Sequence, residues 1–404
     1  MKRINKVTIT IISIIMVISV ISSTSITAFA SWNTITSNYI TTIFKVHNSN
    51  YNNSNANAPH NLGGISAGTA NNRLFVVKSN SEETLTTFYY YDNIYNPKYA
   101  TEEKTPRRIF FPNGILGHAN SMTVDDDYVY VACWQNSSNQ TQMSVIARIA
   151  RAYISSIPDK SVVTVVSANS TSDPNKKYGY VTINGTSTKI CETYTVKNND
   201  NTAYNRSISQ IARYTYNSTT GVTKFIITYG SLNTSRFYTI ATLQNNEITV
   251  VKNANFEVTF NEFNPNYITA QDIFYDSSYG LFLLFWGHNA THNLGSKLSN
   301  YVVRYNISSL DSNGNSTTGA IAPSKYVKIQ GDSSKYNQYE LESLAFIKKD
   351  KDKNLLSKPM FVFSSNNVGT SSTSGGNVDS IEKITYTTAN NGVVDLYANI
   401  WYNN

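Results

Sequence analysis

Two carboxylates and a histidine are the side chains best placed for chemistry in this 404-residue chain. Asp272, Glu342 and His118 each lie close to the start of an apolar, β-forming run. Carboxyl groups from separate strands that meet in one pocket can act as general acid and general base when their pKa values differ. The sequence therefore indicates Asp272 and Glu342 as a candidate acid–base pair, with His118 assisting.

Five similar openings carry these residues. In each, a short polar segment leads into an apolar residue, a turn and a strand. The openings are Gly64–Ser66, Asn120–Met122, Ser209–Ile211, Gln271–Ile273 and Glu342–Leu344. The strands that follow them are Leu74–Val77, Tyr128–Ala132, Phe225–Tyr229, Leu281–Phe285 and Met360–Phe363. A sheet-forming unit that recurs without helical periodicity is typical of a β-propeller.

The sequence predicts one all-β domain, a propeller of five blades with four antiparallel strands each. Val162–Val166 is the predicted fourth strand of the second unit, and Tyr39–Val46 is expected to close the ring by pairing in the last blade. A hairpin inserted at about 169–206 turns at Asn184-Gly185, a strong two-residue turn signal. A sixth blade in this segment is the alternative.

Further polar residues of the openings are predicted to converge on the axis as a binding surface. Together with Trp286 on a strand, they are Asn120, Gln210, Gln271 and Glu340. A structural role stays open for the whole set, because polar groups at a crowded axis also pair with one another or with water. Phe88–Tyr91 and Phe285-Trp286 are candidate aromatic platforms for sugar rings, although packing between blades is the favoured interpretation of aromatic residues on strands.

The ends of the chain predict export. Basic residues at Lys2, Arg3 and Lys6, an apolar run over Val7–Ile21 and the small-x-small site Ala28–Ala30 are typical of a secretory signal peptide. We expect residues 1–30 to be removed and residues 31–404 to form the extracellular propeller, without a membrane span. The two cysteines, Cys133 and Cys191, could form a disulfide or remain as buried thiols.

Charge and motifs limit the partners. The formal net charge is +7 and no basic cluster suits nucleic acid, so no nucleic-acid partner is expected. The protein is also expected to be a monomer. Asp125–Asp127 suits a turn better than a calcium loop. His288 and His292 lie in a loop by composition, so no metal site is predicted. No cofactor is identified, and a structural calcium ion is the open candidate.

Two short segments of the sequence resemble segments of known protein families. Gly117–Thr123 with Tyr128–Ala132 resembles blades of secreted or phage-associated Gram-positive propellers, and Tyr339–Leu344 is similar to a segment of helveticin-type bacteriocins. The second likeness implies an extracellular antimicrobial or surface-acting protein and supplies no catalytic residue.

These features predict a secreted, non-enzymatic protein that binds a glycan or a cell surface. The alternative is a glycan-active hydrolase or lyase that uses the axial carboxylates. A bacteriocin-like protein is the third hypothesis. Whether the chain is an enzyme stays open at this point.

Overall fold

The computed structural model describes most of the chain as strands joined by turns. The described residues are 33–36, 40–46, 61–67, 72–134, 143–168, 173, 176–232, 235–259, 268–287, 297–349, 352, 355–369, 377–387 and 393–395. The chain divides into the units Met1–Asn33 and Thr34–Asn404, and the sheets lie in the second. No helix in the described ranges is long and apolar enough to cross a membrane.

Two short strands precede the first sheet, β1 (Asn33–Thr36) and β2 (Ile40–Lys45). The first sheet contains β3 (Asn61–Ala67), β4 (Leu74–Ser79), β5 (Thr86–Tyr91) and β6 (Arg107–Phe111). A 3₁₀ turn, Pro97–Tyr99, lies between β5 and β6.

The second sheet begins with β7 (Met122–Val124), β8 (Tyr128–Ala132) and β9 (Val145–Ala150). After the helical turn α1 (Arg151–Ile154), the chain forms β10 (Ser161–Val162), β11 (Thr164–Ser167), β12 (Lys177–Ile183) and β13 (Thr186–Asn198).

The third sheet contains β14 (Ile211–Asn217), β15 (Val222–Leu232), β16 (Ser235–Gln244), β17 (Glu247–Val250) and β18 (Phe256–Thr259). The fourth contains β19 (Ile268–Asp276), β20 (Gly280–Gly287), β21 (Ser299–Tyr305) and β22 (Pro323–Gln330), with β1 beside β22. The fifth contains β23 (Tyr336–Lys349), β24 (Leu355–Gly369), β25 (Asn377–Thr387) and β26 (Val393–Asp395), with β2 beside β25.

The first strands of these sheets form a closed ring. β3 contacts β7, β7 contacts β14, β14 contacts β19, β19 contacts β23, and β23 returns to β3. The five predicted opening residues, Ile65, Met122, Ile211, Ile273 and Leu344, all lie on these inner strands. The all-β prediction is confirmed, and sheets arranged radially about inner strands form a β-propeller.

Strand alternation explains why each sheet is apolar on both faces. On β8, Val129 and Val131 pack in the core with the first sheet, whereas Tyr130 and Ala132 pack in the core with the third. Successive side chains of a strand point to opposite faces of its sheet. A strand in a sheet that packs between two others therefore needs an almost continuous run of apolar residues.

Strand β2 closes the ring, as the sequence predicted. β2 pairs antiparallel with β25 of the fifth sheet, with Ile40 opposite Ile384. Its Phe44 is buried and stacks on Tyr91 of the first sheet, with the ring centroids 4.4 Å apart. One strand therefore joins the end of the propeller to its beginning.

The prediction of a fourth strand over Val162–Val166 was wrong. Val162 pairs in parallel with Phe110 of the first sheet, and Val165 pairs with Gly179 of β12. Val163 lies between these two residues and is buried. At this point the chain passes from the first sheet to the second.

The long segment after α1 forms a hairpin that extends the second sheet. β12 and β13 meet at Asn184 and Gly185, whose φ values of 50° and 79° suit a primed turn. β13 pairs with β9 and also, over Val196–Asn198, in parallel with β17. The hairpin thus takes the fourth position of the second sheet.

Both cysteines are free, buried thiols in the core between the first and second sheets. Burial raises the pKa of Cys133 to about 12, and it raises the pKa of Cys191 well above the ordinary value. Of the two states that the sequence left open, the structure shows the reduced one.

Candidate functional site

Asp272 is completely buried on β19 and accepts four hydrogen bonds. Ser121 Oγ donates to its Oδ1 at 2.5 Å, and the Ile273 amide donates to the same oxygen at 2.8 Å. Ser343 Oγ and the Leu344 amide, the latter at 3.2 Å, donate to Oδ2. The four donors leave no free acceptor position on an ionised carboxylate.

The partners of Asp272 extend this network to every inner strand. Ser121, just before β7, accepts a hydrogen bond from the Ile211 amide of β14 at 2.9 Å. Ser343 of β23 accepts one from the Ile65 amide of β3 at 3.0 Å. Burial raises the pKa of Asp272 to about 7 against the opposing effect of its donors. These contacts favour the structural role that the sequence left open for Asp272.

Glu340 and Glu342 form a second group of carboxyls on β23. Glu340 is buried and accepts hydrogen bonds from Gln271 Nε2 at 2.5 Å and Gln338 Nε2 at 2.7 Å. Burial raises its pKa to about 7. The pKa of the half-buried Glu342 is also raised well above its usual value by burial and by the charges of Glu340 and Asp379.

The structure therefore brings together Gln271, Glu340 and Glu342 from the predicted set. Gln271 and Glu342 both lie at register shifts, where a bulge interrupts β19 and β23. A carboxyl whose pKa lies near neutrality can donate a proton and take it back, which is the requirement for general acid–base chemistry.

His118 lies in a different contact group. Its Nδ1 is 2.8 Å from Glu83 Oε1, and its ring packs edge-on against Trp134. Its backbone amide donates to the Trp134 carbonyl at 2.8 Å. The hydrogen bonds of the imidazole go to the first sheet and not to Asp272 or Glu342 within the described ranges.

Asn120 and Trp286 are the other predicted binding residues of the set. Half-buried Asn120 directly precedes Ser121 at the end of the second opening. Trp286 on β20 is half-buried, and its indole Nε1 donates to the Lys297 carbonyl at 3.1 Å.

The aromatic residues Phe88–Tyr91 serve blade packing, the interpretation that the sequence favoured over a sugar platform. All four side chains are buried, with at most 7% exposed. Tyr91 stacks under Phe44, and Phe88 packs 5.6 Å from Phe75 between ring centroids. Because β5 is an inner layer of the first sheet, both of its faces are used in blade packing.

A cavity of about 490 Å³ opens beside the inner strands β14 and β19. We call it the arginine-lined cavity, and its lining includes Arg206, Ser207, Gln210, Tyr229, Arg236 and Thr269. Its volume lies within the range of small-molecule pockets. Of the predicted site residues, it contains Gln210.

Gln210 has an unused polar group in this cavity. Its side chain is only 2% exposed, and Tyr238 OH donates to Oε1 at 3.0 Å. Nε2 is buried without a hydrogen-bond partner among the described residues, and so is Ser207 Oγ. A buried N–H group that lacks a partner costs free energy, so a ligand that accepts a hydrogen bond from Nε2 would stabilise the site.

Tyr229 and the two arginines were not identified from the sequence. Tyr229 is the extra residue of a bulge on β15, where the register shifts between Thr228 and Gly230. Arg206 lies above the Tyr229 ring, with Cζ 4.5 Å from the centroid. Gly230 within an apolar run was the available signal, because an interior glycine often marks a bulge.

Metal chemistry finds no support among the described residues, where no group of three or more His, Cys, Asp or Glu side chains could hold an ion. Asp125 Oδ1 instead accepts the amides of Asp127 and Tyr128, at 2.9 and 2.7 Å, as a turn residue does. His288 and His292 lie outside the described residues. The structural calcium ion stays a prediction.

No family model and no curated protein matches the chain, so the likeness to helveticin-type bacteriocins has no support at the sequence level. Solved structures with a similar fold include the tail fibre of Staphylococcus aureus phage P68. The likeness covers 85% of this chain and 52% of the fibre, at 11% identity and a TM-score of 0.42. This chain thus spans about half of the fibre's length.

Two glycosidases are also similar. An exo-1,5-α-L-arabinanase from a bovine ruminal metagenomic library has 11% identity and a TM-score of 0.38, with 84% of this chain and 97% of the enzyme covered. An α-L-arabinofuranosidase from Lactobacillus brevis has 9% identity and a TM-score of 0.39, with 82% and 94% covered. At these TM-scores the likenesses carry no argument about function.

Proposed function

We propose that this chain is an exported carbohydrate-binding β-propeller whose ligand occupies the arginine-lined cavity. The observation that carries the proposal is the unpaired buried amide of Gln210 beside a bulged tyrosine and two guanidinium groups. Amide and hydroxyl groups match sugar hydroxyls, and an aromatic ring packs against the apolar face of a sugar.

The proposed architecture has five blades, one for each inner strand of the ring, and the pairing of β13 with β17 joins the second and third blades into one continuous sheet. Its support is the ring of five inner strands, in which each strand contacts its neighbours in chain order. The hairpin β12–β13, the competing sixth blade, pairs with β9 and so extends the second sheet. Export by removal of residues 1–30 is part of the same proposal, and the expected mature N-terminus is Ser31.

Binding is tested with the mature chain and a panel of bacterial and plant polysaccharides. Tyr229→Ala is expected to weaken the binding of a retained glycan about tenfold, equivalent to about 1.4 kcal/mol, because the ring beside the cavity is lost. Tyr216→Ala is the matched control, since Tyr216 is an exposed tyrosine that does not line the cavity. Failure of the unmodified protein to bind any member of a broad panel would overturn the proposal.

A glycoside hydrolase is the second candidate function. The specific observation is the pair Glu340 and Glu342, whose pKa values are both raised, Glu340 to about 7. Asp272 would then support the axis, one glutamate would protonate the glycosidic oxygen as it leaves, and the other would take a proton from the attacking water.

Hydrolysis is tested by the release of reducing ends from the same panel. If the chain is a hydrolase, Glu342→Gln removes activity by a factor of at least about 100, the usual contribution of general acid–base catalysis. Glu247→Gln is the control, because Glu247 is an exposed glutamate on β17. Activity that survives Glu342→Gln, or no activity in the unmodified protein, would reject this candidate.

A further inference from the structure

The arginine-lined cavity has an unusual charge for a sugar site. Its described lining residues include two arginines and no aspartate or glutamate. Neutral sugars are commonly bound by carboxylates that accept hydrogen bonds from their hydroxyl groups, and none of the described lining residues offers one. The lining therefore supplies donors and positive charge to whatever occupies it.

Arg206 is the accessible cation. It is exposed, and its guanidinium lies over the Tyr229 ring at 4.5 Å. Its Nη1 would lie 3.9 Å from a Cβ built on Gly230, so the strand beside it leaves room for the group. A guanidinium that stacks on a ring keeps its N–H groups in the ring-parallel plane, where they can bind a carboxylate with two hydrogen bonds.

Arg236 is the buried cation. Only 8% of the residue is exposed, and Nη1 donates to the Ser235 carbonyl at 3.2 Å. Burial lowers its pKa. The positive charge of Arg236 would attract an anion in the adjacent cavity, because opposite charges interact more strongly where the dielectric constant is low.

Resting on the proposed function, we infer that the arginine-lined cavity selects a saccharide that bears a carboxylate, of the uronic acid class. The carboxylate would bind Arg206, with the charge of Arg236 behind it. The sugar ring would pack against Tyr229, and its hydroxyl groups would accept from Gln210 Nε2 and Ser207 Oγ, two buried lining groups without hydrogen-bond partners among the described residues.

The inference is tested by calorimetric titration of the mature chain with trigalacturonate and with its methyl ester. The ester keeps the same rings and hydroxyl groups but carries no charge. We expect the acid to bind at least tenfold more tightly than the ester. Arg206→Gln should abolish this preference while leaving the midpoint of thermal unfolding unchanged.

Arg73→Gln provides the matched control. Arg73 also lies near a tyrosine ring, that of Tyr90 at 5.9 Å, but it does not line the cavity. It should retain the full preference for the acid.

The possible results separate the inference from the function on which it rests. Equal binding of acid and ester, or tighter binding of galactose 6-phosphate than of galacturonate, would overturn the carboxylate assignment and leave glycan binding intact. A preference that Arg206→Gln does not change would place the acid elsewhere and also overturn it. Loss of all binding across the broad glycan panel would remove the proposed function itself.

Discussion

Asp272 can satisfy its network in either protonation state. When it is ionised, both serines and two backbone amides donate to it. When it is protonated, it can donate to Ser121 Oγ, and that hydroxyl can then donate to the Ile211 carbonyl, 3.2 Å away. The axis is therefore built around a carboxyl that can gain a proton without losing its partners.

This arrangement predicts a pH dependence of stability. The pKa of Asp272 in the folded chain is about 7, above its ordinary value of 3.8. Between these values the folded chain holds a proton that the unfolded chain has lost, so the free energy of unfolding falls as pH rises through this window. Between pH 5 and pH 8, Asp272→Asn, which resembles the protonated acid, should reduce that fall by up to about 3 kcal/mol.

Urea unfolding at pH 5 and pH 8 checks this prediction. Asp200→Asn is the control, because Asp200 is exposed and its pKa is lowered by Lys252, so its contribution changes only in acid. The assignment fails if Asp272→Asn shows the same difference between the two pH values as the unmodified chain.

At the scale of elements, bulges determine which side chains reach the sites. Gln271, Glu342 and Tyr229 each occupy a register shift on β19, β23 or β15. A bulge adds one residue to a strand, increases the local twist and re-aims a side chain. Bulges therefore position residues both in the group of Gln271, Glu340 and Glu342 and in the arginine-lined cavity.

The local pattern of polar and apolar residues made the inner strands predictable. The contacts between residues distant in sequence could not be predicted in this way. The five apolar opening residues follow from local pattern alone. The partners of Asp272, by contrast, are 151 and 71 residues away in sequence, at Ser121 and Ser343. No local pattern reports that a serine hydroxyl will meet that carboxyl. The arginine-lined cavity was missed for the same reason, since β15, β16 and β19 meet only after folding.

The hairpin β12–β13 gives an element-scale prediction. Gly185 has a φ of 79° with open space around it, so Gly185→Ala introduces backbone strain without a steric clash. Because β13 is part of the second sheet, we expect the free energy of global unfolding to fall by about 1 kcal/mol. Chemical denaturation measures it.

Gly230→Ala is the comparison variant. Its added Cβ would meet only Arg206 Nη1, at 3.9 Å, and its φ is not among the positive values. It should change stability by no more than about 0.5 kcal/mol. An unchanged free energy for Gly185→Ala would instead mean that the hairpin unfolds independently of the second sheet.

At the scale of the molecule, the ring is closed between the first and fifth sheets by both apolar and ionic contacts. Lys78 of β4 forms a buried ion pair with Asp379 of β25. Lys78 Nζ also donates to the Val46 carbonyl at 3.3 Å, next to β2. Burial lowers the pKa of Lys78 although Asp379 opposes this, so the cost of burying the charges offsets much of what the pair contributes to stability.

The substitution Phe44→Ala tests whether closure of the ring by β2 stabilises the whole fold. It is 2% exposed and packs with Leu74, Val76 and Tyr91 of the first sheet while its own strand pairs with the fifth. Phe44→Ala should lower the free energy of unfolding by about 3–5 kcal/mol, the usual cost of removing a buried ring. Val166→Ala, at a residue that is 47% exposed, is the control and should change stability little.

The shape of the transition distinguishes a global closure from a local one. If β2 holds the first and fifth sheets together, Phe44→Ala should shift one cooperative transition, with tyrosine fluorescence and far-ultraviolet circular dichroism changing together. If β2 merely covers an edge, the variant should lose little stability, or an early transition should involve only a small part of the sheet signal. Either of these results would show that the ring remains closed without its N-terminal strand, through the contacts between β23 and β3.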